Sequence, residues 1–246
     1  MKRLFDIVIS AVGLLCTSVV LLPAMFLIWR QDGFSPFYIA ARTGKDDRPF
    51  RMVKLRSMIK NADKTGVDST SAGDNRVTAV GRFVRKYKLD ELTQLWNVLK
   101  GEMSLVGPRP NVKRETDLYT REEKKLLSVR PGITDFASIV FSDEGDILNG
   151  KADPDIAYNQ LIRPGKSKLG LFYVANSSIR LDLQLIGLTA VASVSRASAL
   201  RGVSDILTRM GAPTDLIDLA RRDTPLVPAP PPGATGIVTT RDQVVS

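Results

Sequence analysis

The longest hydrophobic pattern in the chain lies near its N-terminus. Residues 7–29 read IVISAVGLLCTSVVLLPAMFLIW, a run without a charged side chain that is bounded by Asp6 and Arg30. As a helix with a rise of roughly 1.5 Å per residue it would measure about 34 Å, which exceeds the ~30 Å hydrocarbon core of a bilayer. The run is longer than the apolar region of a secretory signal peptide, and no small-residue cleavage site follows it. The sequence therefore predicts a membrane-inserted helix.

Pro23 stands about two thirds of the way along this run. A proline inside a helix lacks the N–H donor and clashes with the preceding turn, so a kink or a break is expected there. Basic residues lie on both sides of the run, with Lys2 and Arg3 before it and Arg30 and Arg42 after it. The positive-inside rule then gives no direction, and two topologies stay open: a kinked single span, or a helix-break-helix that enters and leaves by the same face.

Shorter patterns after the apolar run predict a small β-structure. The segments PFYIA and FRMVKLRSM read as extended pieces, and the polar residues from Gly44 to Arg48 between them indicate the turn of a hairpin. A polar loop is expected at residues 61–75, NADKTGVDSTSAGDN. Basic residues stand on both sides of this loop, which is usual for a solvated surface and also suits anionic headgroups or phosphates.

An amphipathic helix is predicted in the stretch KLDELTQLWNVLKG, residues 88–101. Its apolar stripe has the helical spacing i, i+3, i+4 and i+7, and consists of Leu92, Leu95, Trp96 and Leu99. Asp90 suits the N-cap position, and Lys100 followed by Gly101 indicates the C-terminus of the helix.

The remaining pattern is helical until the composition changes near the C-terminus. Residues 121–136 indicate a helix that ends in a Pro-Gly turn, and residues 153–197 indicate two or three more. After Thr224 the stretch PLVPAPPPGATG predicts an extended or disordered tail. Together these elements predict a helix-rich α+β protein, with one compact domain of amphipathic helices and a small β-hairpin.

Charge and composition narrow the chemistry. The chain of 246 residues has 35 Lys+Arg against 26 Asp+Glu, and its net charge of +9 favours anionic partners such as phospholipids, nucleotides or phosphorylated substrates. Histidine is absent, which excludes a Ser-His-Asp or Cys-His nucleophile and His-ligated zinc. The single cysteine, Cys16, excludes an intrachain disulfide. Nucleic acid is not an expected partner, because acidic residues divide the basic ones and a membrane anchor accompanies them.

Two adjacent acids and a rigidly presented arginine are the candidate chemical groups. Asp90 and Glu91 stand at the start of the predicted helix, where they could hold a divalent cation that bridges phosphates, or attack phosphorus. Arg109 lies between Pro108 and Pro110, so a stiff backbone presents its guanidinium to an anion. The residues alone also allow the plain alternatives, a capped helix followed by a rigid surface turn.

These motifs occur in a defined order. The stretch KLDELTQLWNVLKGEMSLVGPRP, residues 88–110, is preceded by FRMVKLRSM and followed by RPGITD. In this order they resemble the bacterial sugar transferase family, the monotopic phosphoglycosyl transferases that start exopolysaccharide, O-antigen and glycoprotein glycan assembly. The similarity runs from the N-terminal apolar segment to about Thr189. It implies transfer of a sugar-1-phosphate from a UDP-sugar to polyprenyl (undecaprenyl) phosphate, with release of UMP.

The resemblance also implies roles for individual residues. Asp90 would be the nucleophile that forms an aspartyl-phosphosugar with the β-phosphorus, and Glu91 would bind Mg²⁺. A polyprenyl phosphate would then displace the enzyme, which predicts ping-pong kinetics. The resemblance also implies basic ligands of phosphate or lipid phosphate, which are Lys54, Arg56, Lys88 and Arg109. Asp182 is a weaker candidate for the metal or polar network.

The family's membrane segment is a re-entrant helix broken at a proline, which favours a re-entrant anchor at residues 1–32. A catalytic domain at residues 33–200 and a C-terminal extension with a disordered Pro-rich tail at residues 201–246 would follow. Both flanks of the anchor would lie on the cytoplasmic face of the bacterial inner membrane, where UDP-sugars occur. Inner-membrane lipid and the later glycosyltransferases of the same pathway are expected partners, and a homodimer stays open.

The chain departs from the family pattern at several positions. The break is Leu22-Pro23 where Ser-Pro is common, Thr93 stands where proline usually follows the DEL triplet, and Asp135 stands where many members have glycine. None of these departures touches the acid pair, so they bear on sugar identity and local geometry more than on the type of reaction. A non-catalytic membrane-anchored adaptor, or an inactive relative of the family, is the alternative function.

Overall fold

The computed structural model describes residues 1–62 and 74–241. The α-helices are α1 Lys2–Asp32, α2 Ala79–Lys86, α3 Leu89–Leu92, α4 Gln94–Lys100, α5 Lys113–Asp117, α6 Phe136–Val140, α7 Glu144–Leu148, α8 Pro154–Ala157, α9 Arg163–Asn176, α10 Ile179–Ala192, α11 Arg196–Arg209 and α12 Thr214–Arg221. The strands are β1 Phe37–Thr43, β2 Pro49–Leu55, β3 Ser104–Val106 and β4 Gly132–Thr134. The helix-rich α+β class is therefore confirmed, while the loop predicted at residues 61–75 lies mostly outside the described residues.

Shorter turns complete this list of elements. Among the described residues, 3₁₀ turns lie at Lys45–Asp47 and at Glu123–Ser128, and a π-helical turn at Tyr158–Ile162 leads into α9. The 3₁₀ turn at Glu123–Ser128 occupies the place of the helix predicted within residues 121–136. The helices predicted after residue 153 are present as α8, α9 and α10.

Helix α1 is long and apolar, and most of it is exposed. It has 31 residues, and its most apolar part has a mean hydropathy of 2.4 with only 17% of its residues buried. Side chains such as Leu15, Val19 and Leu22 are more than half exposed. By length and composition α1 is therefore able to cross a membrane, and the rest of the described chain covers little of its apolar surface.

No break occurs in α1 at Pro23, which corrects the predicted helix-break-helix. The helix continues through the proline and ends at Gly33, which takes the left-handed conformation with φ of 72°. The missing N–H of a proline removes one helical hydrogen bond, and Leu21 and Ala24 on either side of it are buried. Packing before and after the proline therefore keeps the helix in one piece.

Both ends of α1 are attached to the same folded domain. At the N-terminal end, Asp6 accepts hydrogen bonds from the Ser104 hydroxyl at 2.9 Å and from the Leu105 backbone N–H at 3.2 Å. At the C-terminal end, the Asp32 carboxylate accepts two hydrogen bonds from the Arg56 guanidinium, at 2.6 and 2.7 Å. The helix consequently lies along the domain and is held at both of its ends.

The hairpin predicted from the sequence is confirmed. Strands β1 and β2 pair antiparallel in a register that sets Phe37 opposite Leu55. Their turn lies in the predicted segment, where the Gly44 N–H donates to the Arg48 carbonyl at 2.8 Å. One edge of β2 pairs with β1, and Lys54 lies near the C-terminal end of β2.

A second sheet joins β3 to β4 in parallel. Ser104 lies opposite Gly132, and the Gly107 N–H extends the pairing by donating to the Thr134 carbonyl at 3.0 Å. A Cβ atom on Gly132 would lie 2.1 Å from the Gly107 nitrogen, so this close approach of two backbones requires glycine. The pairing brings the loop after β3, which contains Arg109, close to the start of α6.

The C-terminal helices belong to the main hydrophobic core. Helix α11 packs against α10 and α12, and its buried Val203 and Leu207 share one core with Val98 and Phe136. The boundary predicted between residues 200 and 201 falls inside α11. The first part of the predicted extension is therefore integral to the domain.

The proline-rich tail is extended and lies against the domain as far as Arg241. The Val238 side chain is buried, and the Gln160 side chain donates to the Val238 carbonyl at 2.7 Å. Arg241 forms an ion pair with Asp153 at 2.9 Å. Of the two alternatives predicted for this tail, its described part takes the extended one, and its backbone carbonyls and an apolar side chain have partners on the domain. Residues 242–246 lie outside the described part.

Candidate active site

The acid pair lies in α3, a helix of four residues between α2 and α4. Lys88 precedes it in the left-handed conformation, with φ of 52°, and the Lys88 carbonyl accepts a hydrogen bond from the Glu91 N–H at 3.1 Å. Asp90 is the second residue of this helix, so its predicted N-cap position is wrong. The sharp turn at Lys88 starts the helix instead, and the Asp90 carboxylate is not needed as its cap.

The helix predicted over residues 88–101 is divided at Thr93 into α3 and α4. Helix α4 ends as predicted, at a left-handed glycine with φ of 85°. Its buried face differs from the predicted stripe, because Leu95 is buried while Trp96 is 54% exposed and the polar Asn97 is buried. The Asn97 side chain is buried because it lies where α4 packs against strand β2 of the hairpin.

Thr93 and Asn97 attach this pair of helices to the second edge of β2. The Thr93 hydroxyl donates to the Val53 carbonyl at 3.1 Å, and the Asn97 side-chain oxygen accepts from the Val53 N–H at 2.9 Å. The Thr93 hydroxyl also lies 3.1 Å from the Asp90 carbonyl oxygen. Because Val53 directly precedes Lys54, these bonds hold the acid-bearing turn against the strand that carries the lysine.

Asp90 and Lys54 influence each other's ionisation. Both side chains are partly buried. Burial raises the pKa of Asp90, and the positive charge of Lys54 acts in the opposite direction. Burial and the nearby positive charge of Arg109 lower the pKa of Lys54. Within the described part of the chain the Asp90 carboxylate has no ion-pair partner, so its oxygens are open to a ligand.

Glu91 and Arg109 form a two-pronged ion pair. The Arg109 Nη2 atom donates to Glu91 Oε1 at 2.7 Å, and Nη1 donates to Oε2 at 3.3 Å and to the Ile133 carbonyl at 3.1 Å. Burial alone would raise the pKa of Glu91, but Arg109 outweighs it and lowers this pKa to about 2. Glu91 is therefore ionised near neutral pH and sets the orientation of the guanidinium.

Two further cations flank the acid pair. Lys88 is exposed, and its positive charge contributes to the low pKa of Glu91. Arg85, at the end of α2, was not predicted as a site residue. Its Nε atom donates to the Ser57 hydroxyl at 2.8 Å, and its charge counteracts the rise in the pKa of Asp90. The available sequence signal was the basic run RKYK, which begins five residues before Asp90.

Two of the predicted site residues, Arg56 and Asp182, lie at the two ends of α1. The buried Arg56 guanidinium is paired with Asp32, as described above. Asp182 has no exposed surface, and it accepts hydrogen bonds from the Tyr173 hydroxyl at 2.6 Å and from the Lys2 ammonium group. Buried charges require partners of this kind. The structure therefore brings Asp182 into a polar network, but that network is separate from the acid pair.

The donor set of the acid pair is compatible with magnesium. The described residues hold no cluster of three or more acidic, histidine or cysteine side chains, so Asp90 and Glu91 are the acidic ligands that this site offers. In phosphate-handling sites Mg²⁺ is usually bound by one or two carboxylates together with substrate phosphates and water. A carboxylate has about four lone-pair positions, so Glu91 is able to bind Arg109 and a cation together.

Comparison with known proteins identifies the family. The family model described as bacterial sugar transferase matches residues 1–196. The chain therefore belongs to the bacterial sugar transferase family, as the motifs indicated. The match covers α1, the hairpin and every site residue named above, and it ends where α11 begins.

Named relatives are similar over the same region. The chain is 36% identical over 189 residues to an uncharacterized sugar transferase, EpsL, of Bacillus subtilis, which covers 77% of this chain and 85% of the relative. It is 33% identical over 190 residues to the UDP-N-acetylgalactosamine-undecaprenyl-phosphate N-acetylgalactosaminephosphotransferase of Aeromonas hydrophila. This match covers 75% of the present chain and 41% of the relative. It is 40% identical over 152 residues to the undecaprenyl-phosphate galactose phosphotransferase of Salmonella typhimurium. This match covers 54% of the present chain and 31% of the relative. The chain thus spans less than half the length of these two phosphotransferases, and their names specify different sugars.

Proposed function

We propose that the chain transfers a sugar-1-phosphate from a UDP-sugar to polyprenyl phosphate and releases UMP, at the start of exopolysaccharide or related glycan assembly. Membership of the family supports this reaction, and so do the names of relatives that act on undecaprenyl phosphate. One structural observation carries the proposal. The unpaired carboxylate of Asp90 lies beside the Glu91–Arg109 ion pair and the partly buried Lys54. Later glycosyltransferases of the same pathway would take the lipid-linked product as their acceptor.

The proposed reaction has two steps at one phosphorus atom. An Asp90 carboxylate oxygen attacks the β-phosphorus of the UDP-sugar, and a new oxygen–phosphorus bond forms. The bond from this phosphorus to the bridging oxygen breaks, and its electron pair leaves with UMP. A phosphate oxygen of the polyprenyl phosphate then attacks the same phosphorus, and the bond to Asp90 breaks. The products are a polyprenyl diphosphosugar and the free carboxylate.

Positive side chains make this attack feasible. A carboxylate and a diphosphate repel each other, so the approach requires cations around both. Lys54 acts on Asp90, and Arg109 uses three of its five N–H donors on Glu91 and Ile133, which leaves two for phosphate oxygens. Glu91 would also hold Mg²⁺, which supplies positive charge to the phosphate oxygens when bound.

We infer that α1 anchors the chain in the cytoplasmic face of the bacterial inner membrane. The exposed apolar surface of α1 needs an apolar environment. Both ends of α1 are held by the same domain, which favours insertion from one side over a complete crossing. On α2 the exposed rings of Phe83 and Tyr87 lie 4.8 Å apart beside basic residues, an arrangement that suits the headgroup region. The cytoplasmic side follows because UDP-sugars occur there.

The test of the reaction is UMP release by the purified protein in detergent or nanodiscs. The protein is incubated with polyprenyl phosphate, Mg²⁺ and a panel of UDP-sugars, and EDTA is expected to stop the release. Asp90→Asn should abolish it, while the matched change Asp218→Asn, at an exposed aspartate of α12, should leave it unchanged. Absence of UMP release with every UDP-sugar would favour a non-catalytic adaptor or an inactive relative.

The test of the topology is labelling by an impermeant thiol reagent. In a Cys16→Ala background, one cysteine is added before Met1 and another replaces Lys45, since neither position takes part in the packing of α1. Labelling of both cysteines from the same side supports one-sided insertion. Labelling from opposite sides would establish a complete crossing instead.

A further inference from the structure

Arg109 also lines a cavity that the proposed reaction does not use. Its volume is about 50 Å³, and its lining includes the polar side chains Arg109, Asn111, Asp135, Tyr158 and Lys166. Neither Asp90 nor Glu91 lines it. Since one water molecule needs about 10–15 Å³ of such volume, the cavity has room for a few water-sized groups. It is therefore able to admit a hydroxyl-bearing edge of a ligand.

Asp135 presents a buried carboxylate to this cavity. The residue is 2% exposed and precedes α6, where its Oδ1 atom accepts a hydrogen bond from the Ser138 N–H at 2.7 Å. The Ser138 side chain also interacts with this carboxylate, and Oδ2 is not among the fully enclosed atoms without a partner in the part of the chain that the structure describes. Burial accordingly raises the pKa of Asp135. A carboxylate has about four acceptor positions, so a ligand group that donates to Asp135 from the cavity would form a charge-assisted hydrogen bond.

The charges around the cavity favour a neutral ligand group. Arg109 and Lys166 are the cations that act on Asp135, but each already has an acidic partner. Arg109 is paired with Glu91, and Lys166 with Glu144. The carboxylate of Asp135 would repel a phosphate, whereas the hydroxyl group of a sugar could donate to it. The cavity is thus suited to hydroxyls, whereas Lys54 and Lys88, which form no ion pair among the described residues, act on the acid pair.

We propose that this cavity receives hydroxyl groups of the transferred sugar, and that Asp135 accepts a hydrogen bond from one of them and so selects among UDP-sugars. This inference rests on the proposed function, since Arg109 would bind the phosphate attached to the same sugar. A site that hydrogen-bonds a substrate hydroxyl discriminates strongly against substrates that lack it, because its own polar group is then left without a partner. Asp135 is accordingly a specificity-determining residue.

The variant Asp135→Asn tests this role with little change of shape. An asparagine keeps an oxygen that can cap α6, and it replaces the second acceptor with a donor. We expect kcat/KM for the preferred UDP-sugar to fall about tenfold or more. The order of preference among UDP-sugars that differ at one carbon should change as well. Inhibition by UMP, which lacks the sugar, should stay within about twofold of the wild-type value.

The matched control is Asp153→Asn. Asp153 is the N-cap of α8, where it accepts hydrogen bonds from two backbone N–H groups, and it does not line the cavity. This control should leave the order of UDP-sugars unchanged. The inference is overturned if Asp135→Asn lowers the rate for every UDP-sugar by the same factor, since the residue would then be only a cap. It is also overturned if UMP inhibition weakens while sugar preference is retained, since the cavity would then hold the nucleoside.

Binding measurements separate this inference from the proposed reaction. Calorimetry with each UDP-sugar and with UMP is performed on the wild-type protein and on Asp135→Asn. Wild-type protein that binds UDP-sugars without releasing UMP would refute the proposed reaction, and the change in binding preference would still decide the role of Asp135. Protein that binds no UDP-sugar would overturn both.

Discussion

Two carboxylates of this chain, Asp90 and Asp182, are surrounded by cations in different ways. Asp182 has no exposed surface, and its two oxygens accept hydrogen bonds from Tyr173 and Lys2. Asp90 is only partly buried, and Lys54 acts on it without forming an ion pair. A carboxylate whose acceptor positions are filled stabilises the fold, whereas one with open positions is free to bind or attack a ligand. Whether the acceptor positions are filled or open therefore distinguishes a structural aspartate from a reactive one, which the residue type alone does not.

The largest expected effect is that of Asp90→Asn. An amide cannot replace the carboxylate as a nucleophile, so UMP release should fall by about 10³-fold or more. The melting temperature should not fall, because a partly buried charge has been removed and no ion pair is lost. Steady-state UMP assays and thermal unfolding of the same preparation measure both quantities. Retention of more than a tenth of the wild-type rate would show that Asp90 is not the attacking group.

Glu91→Gln should have the next largest effect. Glutamine fills the same space but loses the charge that holds Arg109 and would bind Mg²⁺, so we expect a loss of about 100-fold in kcat. The comparison is with Glu122→Gln, which removes a surface partner of Lys125 and should leave kcat unchanged. Equal rates for Glu91→Gln and the wild-type protein would contradict a catalytic role of the Glu91–Arg109 ion pair.

Asp182→Asn should affect stability and not chemistry. Asparagine has a single acceptor oxygen, so either the Lys2 ammonium or the Tyr173 hydroxyl loses its acceptor, at a cost of about 2 kcal/mol in the free energy of unfolding. Thermal unfolding should therefore shift to lower temperature, while kcat/KM per folded molecule stays within about threefold. A large fall in kcat/KM at unchanged stability would instead place Asp182 in the reaction.

The pH dependence of kcat/KM tests how Lys54 acts on Asp90. Asp90 must be ionised to attack, and its pKa is raised by burial, so activity should be lost as the pH falls through this pKa. Lys54 counteracts the rise, so Lys54→Met should move the acid limb of the profile to higher pH. The alkaline limb that reports deprotonation of Lys54 should vanish in the same variant. An unchanged acid limb would mean that another group controls it.

The smallest expected effect is that of Thr93→Val. The change removes the hydroxyl bond to the Val53 carbonyl, which is worth about 1 kcal/mol, and loosens the acid-bearing turn against β2. We expect kcat to fall about fivefold, and Thr93→Ser, which keeps the hydroxyl, to restore most of it. If serine and valine behave alike, the bond does not position Asp90.

The sequence was sufficient to predict those parts of the site whose residues are close together in the chain. Asp90 and Glu91 are neighbours, and the prolines around Arg109 make its presentation a local property. The hairpin that carries Lys54 could be read from its turn. The spacing of these motifs had to be combined with the family resemblance before they pointed to one site.

The sequence was insufficient where partners are distant in the chain. Asp182 and Lys2 are 180 positions apart, and no local pattern indicates that one side chain neutralises the other. Arg56 was assigned to phosphate for the same reason, because its partner Asp32 belongs to the end of the anchor helix. Proline content left an extended and a disordered tail open, because composition does not indicate which hydrogen bonds the carbonyls of the tail accept.

The most direct test of the central claim is the intact mass of the protein after incubation with a UDP-sugar and Mg²⁺ in the absence of polyprenyl phosphate. We predict the release of one equivalent of UMP and a mass increase of one phosphosugar, located on the peptide that contains Asp90 and lost when polyprenyl phosphate is added. UMP release that requires both substrates together, with no adduct on Asp90, would contradict a covalent intermediate on this residue.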